Sequence, residues 1–281
     1  MKEIENAMFE GERPLFAEHD LLLKNVSIGV GESSLKKCRN IVADNCTFNG
    51  KYPFWHTDGF VCDDCTFLVG ARSGLWYSKD CRMRNCKVEA PKMFREMDGV
   101  DVCCTDFPNG QEMFWDCRNI RLRKVRIDDC DYLFMHSSNI DIADYEQHGN
   151  YSFQYARNVE ISNAVIHSKD AFWNTENVTI RNCELHGEYL GWHSHNLTLI
   201  DCLVTGTQPL CYAHNLKMIN CRMGDDADLA FEESELQADI ISHIVSVKNP
   251  TTGYINAPSI GEIILDKNIV APADCIITLK K

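Results

Sequence analysis

The chain has 281 residues, a formal net charge of −13 at pH 7 and 44% hydrophobic residues. The negative charge argues against nucleic acid or an anionic membrane surface as a partner, because both repel an acidic protein. No apolar run reaches the roughly 18 residues that a transmembrane helix needs, and the N-terminal sequence MKEIENAMFEGE shows no signal peptide.

A repeat dominates the chain and is clearest between residues 157 and 223. Each unit begins at an asparagine and is about 19 residues long, close to the period of about 20 to 50 residues that marks solenoids. The asparagines of this stretch are Asn158, Asn177, Asn196 and Asn215. Upstream, Asn, Gly or Asp occupies the same position. Because these residues tolerate positive φ, a backbone corner is predicted at the start of every unit.

After each corner, apolar residues alternate with polar ones, as in Val178 and Ile180 and then Cys183 and Leu185. Such alternation predicts short strands with one buried face. A third strand, such as YLGWHS, is predicted before the next corner. The sequence therefore predicts an all-β fold: a single-domain right-handed parallel β-helix over residues 1–281, with about thirteen coils and three short strands per coil.

The competing array is the leucine-rich repeat, whose core the segment NLTLIDCLV imitates. That repeat requires another leucine three residues earlier, where this chain has Thr175, Ser194 and Ala213. It also requires a short helix on its convex side, where this chain has an aromatic segment. These two differences favour the β-helix.

The two ends and one long interruption are predicted to depart from the regular coils. Residues 1–10 are expected to cap the first coil, since an open coil exposes an edge that invites aggregation. Residues 246–261, which contain Pro250 and Pro258, are expected to form an insertion. Residues 271–281 are expected to add a closing strand.

Cysteine is abundant, with 15 residues, and many recur at one inward position. Cys183, Cys202 and Cys221 are examples. A free cysteine behaves as a small apolar residue, and stacked thiols would pair wrongly in an oxidising compartment. The pattern therefore favours the cytoplasm.

The third strand carries the most unusual chemistry, in three columns that run from coil to coil. The Phe column includes Phe94, Phe114 and Phe134, and the Trp column follows it by one residue in each coil. The polar column comes one residue later still and reads His56, Tyr77, Glu96, Asp116, His136, Tyr155, Asn174, His193, Tyr212 and Glu232. Because burying unpaired charge is costly, the Phe and polar columns are predicted to face solvent, with the Trp column inside.

An exposed aromatic stripe of this length is typical of a binding surface. Glu96 and Asp116 occupy neighbouring coils and are the candidate catalytic acid and base, with His136 as a further candidate base near neutral pH. The candidate substrate-binding residues are Tyr77, Lys92, Glu112, Phe94, Phe114, Phe134 and Tyr155. The same ladders are also compatible with a solubilising surface or with an interface, because any β-helix stacks like residues.

No metal site or cofactor is predicted. Cys62, Cys65, Cys81 and Cys86 have spacings that zinc sites use, but all four occupy inward positions, which favours buried structural cysteine. The phosphate-binding, dinucleotide-binding and zinc-protease motifs are absent.

The coil pattern resembles the pectin-lyase-like superfamily of right-handed β-helices over residues 11–279. More narrowly, the strings FEGERPLF, GESSLK, KYPFW, APKMFR, SKDAFWN, GEYLGWHS, LCY and LAFEES resemble an uncharacterised bacterial family, which implies the fold and no activity. The superfamily's members are mostly secreted polysaccharide lyases, hydrolases, esterases and isomerases, with catalytic groups along one face of the coils. The many thiols and the missing signal peptide argue against secreted polymer degradation.

Two functions follow from the sequence. The first is a cytoplasmic carbohydrate-active enzyme, a hydrolase, lyase or isomerase acting on imported oligosaccharides or uronates. The alternative is a non-catalytic ligand-binding or assembly scaffold that uses the same stripe, as a monomer or as a homo-oligomer joined through it. Fold alone does not decide between them.

Overall fold

The computed structural model describes residues 1–267 and 274–279. Over these residues the chain is a parallel β-solenoid of about fourteen coils, close to the thirteen predicted. One short 3₁₀ helix, Val69–Ala71, interrupts it. No helix in the described part is long and apolar enough to cross a membrane. The chain divides into two compact units, Met1–Glu146 and Gln147–Lys281.

In the first unit the strands follow a regular order. They are β1 Lys2–Glu5, β2 Met8–Glu12, β3 His19–Lys24, β4 Ser27–Glu32, β5 Arg39–Asp44, β6 Thr47–Phe48, β7 Asp58–Asp63, β8 Thr66–Phe67, β9 Lys79–Arg84, β10 Lys87–Val88, β11 Asp98–Phe107 and β12 Arg118–Asp131, followed by β13 Ser138–Asn150, which crosses the unit boundary. Each strand pairs in parallel with its equivalent one coil later, so that Leu21 aligns with Ile41 and Ile41 with Phe60. This register stacks like positions into columns.

The second unit repeats the arrangement. Its strands are β14 Arg157–Lys169, β15 Glu176–Arg181, β16 Glu184–His186, β17 His195–Ile200, β18 Leu203–Thr205, β19 Leu216–Met223, β20 Glu235–Ile240, β21 His243–Lys248, β22 Thr252–Ala257, β23 Ser259–Ile264 and β24 Ile276–Leu279. Val159 aligns with Val178 and Val178 with Leu197, again in parallel. The apolar residues of these columns are buried and form the core, as the alternating pattern predicts.

The predicted corners are confirmed by positive φ at the repeated Asn, Asp and Gly positions, for example 54° at Asn158 and 57° at Asn196. Where successive corners are asparagines, the amide of one bonds to that of the corner one coil earlier. Asn196 Nδ2 donates to Asn177 Oδ1 over 2.9 Å, and Asn215 Nδ2 donates to Asn196 Oδ1 over 2.8 Å. Asparagine therefore both permits the left-handed backbone and links successive coils.

The third side of the coil differs from the prediction. It contains no regular strand in most of the described coils, because left-handed residues recur at every second position. Glu112, Phe114 and Asp116 have φ of 49°, 59° and 52°. Side chains alternate between two faces only when the backbone is extended. Here the consecutive residues Met113 and Phe114 are both buried, Trp115 is half-buried and Asp116 is exposed.

The prediction of an exposed Phe column is consequently wrong. Phe94, Phe114 and Phe134 are each 0% exposed, and Phe114 stacks between the other two at ring distances of 4.4 and 4.8 Å. The Trp column, which was expected inside, is half-buried at the surface. The Phe column is therefore part of the core and offers neither a ligand surface nor a subunit interface.

The regions expected to be irregular also belong to the coils. β1 and β2 pair in parallel with β3 and β4, so residues 1–10 form a coil and not a separate cap. Residues 246–261 contribute to β21, β22 and β23, which pair in parallel with strands of neighbouring coils. β24 pairs with β22 and corresponds to the closing strand, of which residues 271–273, 280 and 281 lie outside the described residues.

Candidate functional site

The Trp column of the first unit forms a continuous stack. Trp55 and Trp76 lie 5.7 Å apart with nearly parallel planes. The guanidinium of Arg95 lies between Trp76 and Trp115, at 4.3 and 4.5 Å from their rings. Cation–π contacts of this kind stabilise a surface stack. Because neighbours cover the ring faces, the stack is a support for the adjacent residues and not an open platform for a sugar ring.

The polar column lies beside this stack, on the side of the corner. Tyr77, Glu96 and Asp116 have φ of 61°, 48° and 52°. The backbone amide of Glu96 donates to Trp115 O over 2.8 Å, and that of Asp116 donates to Met135 O over 3.0 Å. These bonds link each residue to the next coil while its side chain points outward. Glu96 and Asp116 are exposed and Tyr77 is half-buried.

The three residues meet in one open groove along the corner. The groove is lined by Tyr77, Ser78, Lys79, Glu96, Met97, Asp98, Asp116 and Arg118. We call it the corner groove. Both predicted carboxylates are therefore brought together with the predicted tyrosine. Lys79, Asp98 and Arg118 were not predicted, although each directly precedes a corner residue, and a charged residue at that position in three successive coils was the available signal.

The charges of the corner groove fall into two groups. The Asp98 carboxylate is bonded at both oxygens. Arg118 Nη2 lies 2.9 Å from Asp98 Oδ2, and Asn119 Nδ2 donates to Asp98 Oδ1 over 2.7 Å. The hydrogen bond from Arg118 is the main cause that lowers the pKa of Asp98. By contrast, the Glu96 and Asp116 carboxylates have no ion pair and no side-chain hydrogen bond among the described residues. These two groups are available to a ligand.

An aromatic pair closes one end of the polar column. The imidazole of His56 stacks on the ring of Tyr77 with centroids 5.1 Å apart. Burial lowers the pKa of His56, with smaller contributions from Lys36 and Lys37. Tyr77 also meets Trp55 edge-on at 5.7 Å. The ring of Tyr77 is thus held from two directions, and its position in the groove is fixed.

Several predicted residues lie elsewhere. Lys92 and Glu112 form an ion pair of 2.9 Å, and Arg95 lies 3.5 Å from the same carboxylate, so Glu112 is already neutralised. His136 does not line the corner groove. Phe94, Phe114 and Phe134 are buried. Tyr155 belongs to the second unit.

The cysteines are buried structural residues, with exceptions at Cys103, Cys104 and Cys275. Cys62 and Cys81 lie in the core, where burial raises the pKa of each thiol. A thiol that stays protonated is a poor metal ligand. No group of three or more His, Cys, Asp or Glu residues in the described part of the chain has the arrangement of a metal site.

A model of a protein family of unknown function, DUF3737, matches residues 2–278. The chain belongs to this family. No curated protein matches it.

Solved structures give only distant likenesses. The surface adhesin PfbA of Streptococcus pneumoniae is 8% identical, with a TM-score of 0.25 over 92% of this chain and 71% of its own. A mutant of the periplasmic alginate epimerase AlgG is 10% identical, with a TM-score of 0.26 over 99% and 74%. The catalytic domain of an α-1,3-glucanase is 8% identical, with a TM-score of 0.25 over 99% and 64%. Likenesses at this level carry no argument about function.

Proposed function

We propose that this member of the family binds a neutral oligosaccharide in the corner groove and that Glu96 and Asp116 act on it as the two catalytic carboxylates. The observation that carries the proposal is the contrast between these two carboxylates and their neighbours. Asp98 and Glu112 are ion-paired, whereas no described residue pairs with Glu96 or Asp116. Carboxylates accept hydrogen bonds from hydroxyl groups, with room for more than one donor each.

The charge of the groove favours a neutral over an acidic sugar. Its lining holds three carboxylates against two cations, and one of the cations, Arg118, is already engaged by Asp98. The chain as a whole carries −13. A uronate would therefore meet a net negative site, which costs affinity and slows association. Among the substrates expected from the sequence, neutral oligosaccharides fit best.

We infer retention of configuration at the reacting carbon from the stacking of the coils. Glu96 and Asp116 occupy neighbouring coils joined by the bond from Glu96 N to Trp115 O over 2.8 Å, and stacked parallel backbones lie about 4.8 Å apart. In glycoside hydrolysis a separation of about 5 to 5.5 Å between the two carboxyl groups accompanies a covalent glycosyl-enzyme intermediate. One carboxylate would then attack the reacting carbon while the other, protonated, gives its proton to the leaving oxygen. The second group would next take a proton from the water that hydrolyses the glycosyl-enzyme bond, which frees the first carboxylate.

A second candidate function is binding without turnover. It is favoured by the openness of the groove: both carboxylates are solvent-exposed, and acid/base catalysis works best where water is excluded. In this case the same residues would hold a saccharide for a partner or for storage. The two candidates share the site and differ only in whether bonds are broken.

The test is incubation with neutral and acidic oligosaccharides, with binding followed by calorimetry and products by mass spectrometry. Glu96→Gln and Asp116→Asn keep the shape of each side chain and remove its charge. Asp64→Asn is the matched control, because Asp64 is exposed with φ of 52°, as is Asp116. Turnover that both groove variants lose and the control keeps supports the enzyme. Binding without products that the groove variants weaken supports the second candidate, and binding and turnover that both groove variants leave unchanged contradict both.

We also propose a cytoplasmic location. Its support is the burial of most of the cysteines as free thiols, which a reducing compartment preserves during folding.

A further inference from the structure

The second unit contains a copy of three residues that lie in or beside the corner groove. In the first unit, His56, Tyr77 and Glu96 occupy the polar column in three successive coils. In the second unit, His193, Tyr212 and Glu233 occupy it in the same order. We propose that this second His-Tyr-Glu ladder is an additional binding site for the same class of neutral saccharide, without the catalytic pair. The ligand class rests on the function proposed above, whereas the duplication rests on geometry alone.

The ring geometry of the two ladders agrees closely. His193 stacks on Tyr212 with centroids 5.0 Å apart and planes 15° apart. The corresponding values for His56 and Tyr77 are 5.1 Å and 15°. In both ladders a tryptophan meets the tyrosine edge-on: Trp192 lies 5.1 Å from Tyr212, and Trp55 lies 5.7 Å from Tyr77.

The backbone agrees as well. His56 and His193 both have φ of 55°, and Glu96 and Glu233 both have φ of 48°. Left-handed φ recurs along the third side of the coil, as at Glu112 with φ of 49°, so this agreement shows that the two glutamates occupy equivalent positions. Counted back from the next strand, the sequence places Glu232 in this column, but the coil is one residue shorter between the column and Leu236 than between Tyr212 and Leu216. Glu233 takes the place, while Glu232 pairs with Lys248 at 2.6 Å.

Stacking of like residues does not account for the motif. A parallel solenoid places identical side chains above one another, as in the asparagine corners. Here three unlike residues follow one another in the same order in two units, with the same ring distance. The column also reads His136, Tyr155 and Asn174 in the sequence, where the third residue carries no carboxylate.

The second ladder lies in a groove of its own. That groove is lined by His193, Tyr212, His214, Glu233, Glu235, Thr251 and Thr252. No described residue pairs with the Glu233 carboxylate. The groove therefore shares a tyrosine ring, an available glutamate and hydroxyl groups with the corner groove. These are groups that recognise a polyhydroxylated ligand.

Two features separate the grooves and assign the second one to binding. After Glu96 the next coil supplies Asp116, whereas Pro250 holds the corresponding position after Glu233, so the second groove has no pair of carboxylates on neighbouring coils. Burial is the first cause that lowers the pKa of His193, and His214 and His195 add to it. The lining of the second groove holds two carboxylates and neither lysine nor arginine, which disfavours acidic sugars more strongly than the corner groove does.

The experiment measures the stoichiometry of binding by calorimetry, with the neutral oligosaccharide of the panel that binds the wild-type chain most tightly as the probe. Glu233→Gln removes the carboxylate charge and Tyr212→Phe removes the phenol hydroxyl of the second groove. Asp116→Asn acts on the corner groove, and Glu160→Gln is the control on an exposed face of the second unit. We expect two sites in the wild type and the control, and one site in each groove variant. Any turnover should be lost in Asp116→Asn and kept in Glu233→Gln.

The outcomes separate the two proposals. One site per chain that Asp116→Asn abolishes and Glu233→Gln leaves intact overturns the second site and keeps the proposed function. Binding that Glu233→Gln weakens while Asp116→Asn has no effect keeps the second site and overturns the corner groove. The absence of binding to every oligosaccharide of the panel overturns both. Retention of two sites in Tyr212→Phe and Glu233→Gln, with both variants folded, also overturns the second site.

Discussion

The imidazole of His56 lies flat on the ring of Tyr77, with 5.1 Å between the centroids and 15° between the planes. This contact shields one face of the imidazole from water, and burial lowers the pKa of His56 as a result. The folded state therefore prefers the neutral ring. Tyr77 of the corner groove is thus in direct contact with a group that titrates, the imidazole of His56.

The first prediction is a pH dependence of stability that comes from His56 and His193. The pKa of each is lowered in the folded state by burial, so below the ordinary value of about 6.5 the unfolded chain binds more protons. Their contribution is fully present above that value and is lost as the pH falls below it. Titration by NMR should give both histidines a pKa below 6.5, and Tyr77→Ala should raise that of His56. An unchanged value in Tyr77→Ala would contradict shielding by the ring.

The second prediction concerns the buried Phe column. Phe114→Ala removes a ring that stacks on Phe94 and Phe134 and should lower the free energy of unfolding by about 3 to 5 kcal/mol. Phe16→Ala is the control, since Phe16 is 41% exposed, and it should have a small effect. Chemical denaturation measures both. Unchanged stability in Phe114→Ala would contradict the burial of the Phe column and favour the exposed column that the sequence predicts.

The third prediction separates the two roles of the corner asparagines. Asn196→Ala loses the amide bonds to Asn177 and Asn215 and places alanine in the left-handed region, at costs of about 1 kcal/mol for each bond and about 1 to 2 kcal/mol for the backbone. Asn196→Gly loses the same amide bonds, but glycine adopts the left-handed φ of this position without strain. Both should unfold at lower denaturant, and the alanine variant at the lowest. Equal stability of the two variants would show that the backbone conformation contributes nothing.

The fourth prediction concerns the thiols. Cys104 is exposed and its sulfur lies 3.1 Å from that of half-buried Cys103. A hydrogen bond with Cys104 is the first cause that raises the pKa of Cys103. In the native chain a chromogenic disulfide reagent should therefore react first at Cys104. Cys104→Ser should remove the fast phase, whereas Cys183→Ser, at a buried site, should leave it. Fast labelling of Cys183 would contradict its burial.

The sequence predicts the parts of this fold that depend on regular alternation. Asn158 and Asn177 predict the corners, and Val178 and Ile180 predict a strand. Residue type at a corner and alternation along a strand are both properties of a few neighbouring residues. The third side could not be predicted in this way. Phe114 and Asp116 are two residues apart and would share a face in a regular strand. Left-handed φ at both breaks the alternation, so Phe114 is buried while Asp116 is exposed. The presence of Glu96 and Asp116 in one groove could be predicted from their neighbouring places in the polar column. The engagement of Arg118 by Asp98 required the structure, since it depends on side-chain placement at the corner.

The left-handed corners have a consequence for how a chain of this kind changes length. Deletion of residues 177–195 would bring Asn196 next to Asn158 in the ladder and Leu197 next to Val159 in the strand, so every remaining contact would have an equivalent partner. Deletion of half as many residues would place strand side chains at corners that only Asn, Asp or Gly occupy without strain. Coils of this solenoid are therefore gained and lost as whole units, and natural or engineered length variants should differ by complete turns.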